Sequence, residues 1–180
     1  MDVITELPRR QGDRPATTST FPHRQLDQQP DDPTVREELA RRAFSLENVL
    51  ERDSVVSVPG ARALVLANDR PAGPEAAFIR EREFAHFHPD PDWSLHLALP
   101  DPMAEVAIDR GWAELHLIAR TEELPGSVVM VYAPRDADEA EAVWTLLRAS
   151  HEFAVSAPSS SVGRSAASGW VRSRSDGSQP

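Results

Sequence analysis

Apolar residues recur at two periods along this chain, and the switches between them mark out its elements. In "DDPTVREELARRAFSLENVL" (31–50), Val35, Leu39, Leu46 and Leu50 fall at helical spacing behind Asp32 as N-cap and Pro33 at the first helical position, predicting one helix or two short ones. The pattern then becomes strand-like in "SVVSV" (54–58), "RALVLA" (62–67), roughly 78–88, and "SLHLAL" (94–99). "DPMAEVAIDRGW" (101–112) reads as a short helix with Asp101 as its cap, Pro102 at its start and Gly111 past its end. Two further strands, "AELHLIA" (113–119) and "SVVMVY" (127–132), precede a final helix in "RDADEAEAVWTLLRASHEF" (135–153). There Asp136 and Glu139 form a capping-box pattern, and Ala140, Val143, Trp144 and Leu147 an apolar stripe. The order is helix, four strands, helix, two strands, helix. Short connections favour antiparallel neighbours, so the expected fold is α+β: a mostly antiparallel sheet with helices on one face.

Side chains alternate across a strand, so residue parity assigns faces. Leu95, Leu97 and Leu99 share one face of 94–99, leaving Ser94, His96 and Ala98 on the other. By the same rule Ala85 and Phe87 oppose Phe84, His86 and His88, and Leu115 and Leu117 oppose Glu114 and His116. Val129 and Val131 oppose Val128, Met130 and Tyr132, the only tyrosine. If "PDPDW" (89–93) closes a hairpin in even register, His86 or His88 stands opposite His96. Burial of the leucines enforces that register, because a one-residue slip would invert both faces. The imidazoles are therefore expected to converge on the sheet face away from the helices.

The ends of the chain lack both patterns. Residues 1–31 are rich in Pro, Gln, Thr, Asp and Arg, and residues 156–180 in Ser and Gly. Both read as disordered tails flanking a domain at 32–155. A net charge of −10 argues against nucleic-acid binding. There is no cysteine, which excludes thiolate chemistry and Cys-based metal sites. All 19 basic residues are arginine, which removes Schiff-base chemistry and a P-loop lysine. No stretch has the apolar length of a signal peptide core or a membrane span, so the expected location is cytoplasmic, without membrane contact.

Candidate chemistry follows from the faces. His86, His88, His96 and His116 are the candidate catalytic residues, and a small molecule the expected partner. His23, in the presumed tail, and His151, late in the last helix, read as solvated residues without a role, and Gly111 and Trp112 as structural. Trp93 is a candidate for a pocket rim. Arg135, where the last strand meets the last helix, would hold an anionic ligand or pair with a local carboxylate. Three imidazoles, or two with Glu114, suit a divalent metal. Without a metal, one histidine could take an enolic or phenolic proton while another stabilises the oxyanion. A non-catalytic ligand-binding module is a third reading.

"REREFAHFHPDPDWSLHLALP" (80–100), "AIDRGWAELHLIA" (107–119) and "VVMVYAPRDADEAEAVWTLL" (128–147), taken in order, resemble the luciferase-domain family. That family joins the luciferases of luminous fungi with many small bacterial proteins. The resemblance spans roughly 34–153. It implies oxygenation of a hydroxylated pyrone, 3-hydroxyhispidin in the fungal enzymes, by molecular oxygen, with release of carbon dioxide and light and with no established organic cofactor or metal. It also implies that His86, His88, His96 and His116 line the site, with Glu114, Tyr132 and Arg135 nearby. The chain departs from the family pattern at Leu117, where a proline is expected, and at Ala113, where glycine is usual. Residues 1–31 are polar where the fungal enzymes carry a membrane-anchoring segment.

Overall fold

A computed structural model describes residues 7–117, 119 and 128–156. Its elements are α1 (Pro33–Phe44), β1 (Val49–Asp53), β2 (Arg62–Leu66), a 3₁₀ turn (Glu75–Ala77), β3 (Glu83–Phe87), β4 (Leu95–Ala98), α2 (Asp101–Asp109), β5 (Ala113–Leu115), β6 (Val128–Val131) and α3 (Ala137–Val155). The six strands form one sheet in the order β1-β2-β3-β4-β6-β5, and every neighbouring pair is antiparallel. The protein is α+β, as the pattern predicts.

Local chemistry accounts for the element ends. The Asp32 carboxylate accepts from the Thr34 amide at the start of α1, and Asp136 accepts from the Glu139 amide at the start of α3. The reciprocal arm of the expected capping box is displaced by one residue: Glu139 accepts from the Arg135 amide at 2.9 Å. Helix α2 begins one residue earlier than expected, with Pro100 as cap. It ends at Gly111, whose φ of 82° suits a residue without Cβ, and the Trp112 amide donates back to Ala107.

The odd-numbered positions build the core. Ala85, Phe87, Leu95, Leu97, Val129 and Val131 are buried together with Leu39, Ala43, Val143, Leu146 and Leu147 of the helices. In the β3–β4 hairpin Ala85 faces Leu97, His86 faces His96, and Phe87 faces Leu95. This is the even register that the buried leucines require.

Four expectations are corrected. The run 54–58 is not a strand; it is a loop, with Val55 77% exposed. β-branched content alone suggested a strand there, but the Pro59–Gly60 turn ends the ladder before it. The strand is instead 49–53, an edge strand whose Glu51, Arg52 and Asp53 are exposed, and which charge disguised in the hydrophobic pattern. The ladder slips between Leu64 and Val65, so Phe84 joins the helix-side core while Glu83 turns to the face of His86. Strand β5 covers only 113–115 of the run 113–119.

The fourth correction concerns the N-terminal tail. From residue 7 onward the chain packs as an arm: Leu7, Arg10, His23 and Gln25 are all buried. Trp112 Nε1 donates to the Pro8 carbonyl at 2.6 Å, and the Ala133 amide donates to Gln25 Oε1 at 2.8 Å. A segment of low mean hydropathy is thus ordered by a few apolar anchors and by hydrogen bonds to the sheet end. Residues 1–6, and 157–180 of the expected C-terminal tail, lie outside the described residues.

Candidate functional site: a histidine-lined cavity

The sheet face opposite the helices carries His86 and His96 side by side, with His88 and His116 just beyond the ends of β3 and β5. The arm brings His23 down onto them. His96 is the hub: its ring centroid lies 4.3 Å from that of His116, 4.6 Å from His88, 5.0 Å from His86 and 5.3 Å from His23. All five histidines are buried. A cavity of about 340 Å³ opens beside them, lined by His23, His88, His96 and His116 together with Phe21, Pro22, Val56, Ser57 and Val58. Its wall is thus apolar, with imidazoles at one side, the usual composition of a small-molecule site.

Three of the four outer histidines are oriented by a carboxylate oxygen. His86 Nδ1 donates to Glu83 Oε1 at 2.6 Å, and Ser54 Oγ donates to the same oxygen at 2.9 Å. His88 Nδ1 donates to Asp92 Oδ2 at 2.7 Å, while the Ser94 amide and hydroxyl both donate to Asp92 Oδ1. His23 Nε2 donates to Glu114 Oε1 at 2.7 Å, and the Tyr132 hydroxyl donates to Glu114 Oε2 at 3.1 Å.

These partners fix the tautomers. With its Nδ1 proton on Glu83, a neutral His86 presents a lone pair at Nε2, which accepts from His96 Nδ1 at 3.0 Å. His96 must then carry its lone pair on Nε2. That atom is buried and has no hydrogen-bond partner among the described residues, and the same holds for His23 Nδ1. A buried acceptor left unsatisfied costs about 1–3 kcal/mol. Two such lone pairs in one cluster need a donor or a cation.

The charge state follows from burial. Desolvation pushes His86 below its ordinary pKa despite the hydrogen bond to Glu83. Burial, then the neighbouring imidazoles, push His96 well down, and the same causes bring His116 to about 4. These three rings are neutral at pH 7. Burial opposes ionisation of Asp92 and Glu114, but the hydrogen bonds from His88 and Ser94, and from His23, Thr17 and Tyr132, hold both carboxyls below their usual range. Burial and the adjacent Glu114 carboxylate raise the Tyr132 hydroxyl to about 12, so it stays a donor.

The structure brings together His86, His88, His96, His116, Glu114 and Tyr132, as parity predicts. It places two other candidates elsewhere. Trp93 does not line the cavity: its Nε1 donates to Asp90 Oδ1 at 3.0 Å and Arg36 lies over its ring at 5.0 Å. Arg135 pairs with Glu139, the local-carboxylate alternative, and also donates to the Gln11 carbonyl. Sequence reasoning missed His23, Glu83 and Asp92. An aromatic-Pro-His triplet within a polar stretch was the available signal for His23, and Asp-x-Ser beside the hairpin turn that for Asp92.

The segment that carries four of these histidines also resembles known proteins. A family model of the luciferase domain matches residues 81–150, the segment that carries His86, His88, His96 and His116. A luciferase of Armillaria ostoyae and one of Armillaria gallica are each 30% identical to the chain over 175 residues, covering 88% of it and 65% of the relative. A luciferase of Neonothopanus nambi is 27% identical over 173 residues with the same coverage. The chain therefore spans just under two thirds of the length of these relatives. No solved structure matches it significantly. The family model on residues 81–150 and the fungal relatives aligned over most of the chain together support a luciferase domain here.

Proposed function

We propose that this protein oxygenates an enolic or phenolic small molecule bound in the histidine-lined cavity, with molecular oxygen as co-substrate and no organic cofactor. The observation that carries the reading is the His88–Asp92 pair in the cavity wall. Asp92 fixes the His88 tautomer with its proton on Nδ1, leaving Nε2 to accept a substrate proton, and its negative charge stabilises the imidazolium that forms. The Arg36 guanidinium, donating to the His88 carbonyl at 2.7 Å, holds the same residue from behind.

The step balances. Nε2 of His88 takes the enolic proton, and the electron-rich enolate reduces oxygen by forming one carbon–oxygen bond. The proton then returns from His88 to the peroxide, so substrate plus oxygen gives a hydroperoxide. Phe21, Pro22, Val56 and Val58 keep the cavity poor in water, which protects such an intermediate. The luciferase relatives support the choice of an oxygen-consuming reaction over simple binding. Among the described residues no helix is long and apolar enough to cross a membrane.

Oxygen uptake screened against hydroxylated pyrones and polyketide-like phenols tests the reading, with light output recorded in parallel. Uptake with one of these classes that falls at least about 100-fold in His88→Ala, and less in Asp92→Asn, is expected. Ligand binding without uptake across the panel would leave a binding module instead.

A further inference from the structure

We infer that His23, His96 and His116 form a binding site for a divalent transition-metal ion of the zinc or cobalt type, with Glu114 and the Glu83–His86 pair orienting its ligands. The inference concerns the same cavity but stands on the donor set, not on the proposed reaction. One ring nitrogen from each of the three histidines lies within 4.8 Å of those of the other two, and all three residues are buried. A tetrahedral ion with metal–nitrogen bonds of about 2.0–2.1 Å wants its donors roughly 3.4 Å apart, so small ring rotations close the set.

Two features point to a cation. First, His23 Nδ1 and His96 Nε2 are buried ring nitrogens without a hydrogen-bond partner among the described residues. Second, the opposite nitrogen of each ring is already engaged. His23 Nε2 is held by the Glu114 carboxylate, and His96 Nδ1 by His86, itself held by Glu83. That is the carboxylate–histidine arrangement that fixes ligand tautomer and raises ligand basicity at metal centres.

Imidazole donors select zinc, cobalt, iron, nickel or copper over magnesium or calcium. The alternative trio of His86, His88 and His96 also meets the distance criterion, but there His86 has both nitrogens hydrogen-bonded. Three protein ligands leave a coordination position open beside the cavity. Because His23 lies on the arm, the ion would also fasten the arm across the sheet.

The test uses the full chain stripped with chelator and contains no substrate. Cobalt(II) is titrated and followed by its visible absorption bands, and zinc(II) by calorimetry. One equivalent bound at micromolar affinity or tighter is expected, with at least a 100-fold loss in His96→Ala and in His116→Ala. Glu114→Gln should weaken binding about 10- to 100-fold through its effect on His23, and His151→Ala should leave it unchanged. Zinc should slow tryptic cleavage after Arg24 in the parent chain and not in His23→Ala. Far-UV circular dichroism certifies each variant as folded, and His96→Gln replaces any alanine variant that is not. A folded parent chain that takes up no metal overturns the inference, as does binding undiminished in His96→Ala and His116→Ala. Neither result bears on oxygen uptake by the stripped protein, which is read separately.

Discussion

Replacing Leu7 by alanine separates a packed arm from a loose tail. Leu7 is 1% exposed and belongs to the same buried cluster as Trp112, Ala113 and the helix-side leucines. Its carbonyl accepts from Arg110 at 2.6 Å, and the next carbonyl, of Pro8, accepts from the Trp112 indole. Truncating a fully buried leucine costs about 2–5 kcal/mol, whereas the same change in a solvated tail costs less than about 0.5 kcal/mol. The arm can also peel away without global unfolding, and the loss in global stability then cannot exceed the free energy with which the arm docks. The expected global loss is therefore about 2 kcal/mol, with an increase in arm opening beside it. Urea denaturation followed by tryptophan fluorescence measures the first, and the rate of tryptic cleavage after Arg24 under native conditions measures the second. The packing argument fails if Leu7→Ala changes neither by more than experimental scatter.

Stability should fall with acid through the buried histidines. His116 drops from its ordinary 6.5 to about 4 on folding, so the unfolded chain takes up its proton first. The contribution is complete above pH 6.5 and is lost as the pH falls towards 4, and His96 acts in the same direction. Discounted for solvent in the cavity, this is about 1–2 kcal/mol; urea midpoints of metal-stripped protein that stay level from pH 7.5 to 4.5 would refute it. Asp92 and Glu114, depressed from 3.8 and 4.5, lose their contributions only at lower pH. Gly73→Ala should destabilise by at least ~2 kcal/mol, because a Cβ there would lie 2.2 Å from the Phe153 carbonyl oxygen, and thermal melts read it directly. Asp136→Ala should cost about 1 kcal/mol by removing the cap of α3, measured by the same melts.

What the sequence made legible was whatever burial enforces. Alternation in 94–99 and 128–131 survives intact because one face must pack under α1 and α3, and the partners of His96 follow from it. The pattern failed where burial does not speak. Strand β1 is an exposed edge whose charges mask its periodicity, and the bulge at Phe84 exchanges faces without any change in composition. The arm escaped for a related reason. Its anchors are single residues, Leu7, His23 and Gln25, spaced by no regular element, and their partners are remote in sequence at Pro8–Trp112, His23–Glu114 and Gln25–Ala133. Contacts of that separation leave no periodic trace.

The arm changes how the site must be understood. The family-matched segment 81–150 supplies a row of imidazoles on one sheet face, which without residues 21–23 would stand more open to water. Residues 21–23 close that face and also insert a fifth imidazole with its own carboxylate, so enclosure and chemistry come from the same short stretch. Neutrality ties the two together. Exposed histidines at this spacing would titrate near their usual 6.5, whereas covered ones are held neutral by desolvation and by one another. Lifting the arm therefore wets the cavity and removes part of the burial that holds His96 and His116 neutral. The two consequences arise from one motion, and a mutation that loosens the arm should impair the site even when every histidine of the sheet remains in place.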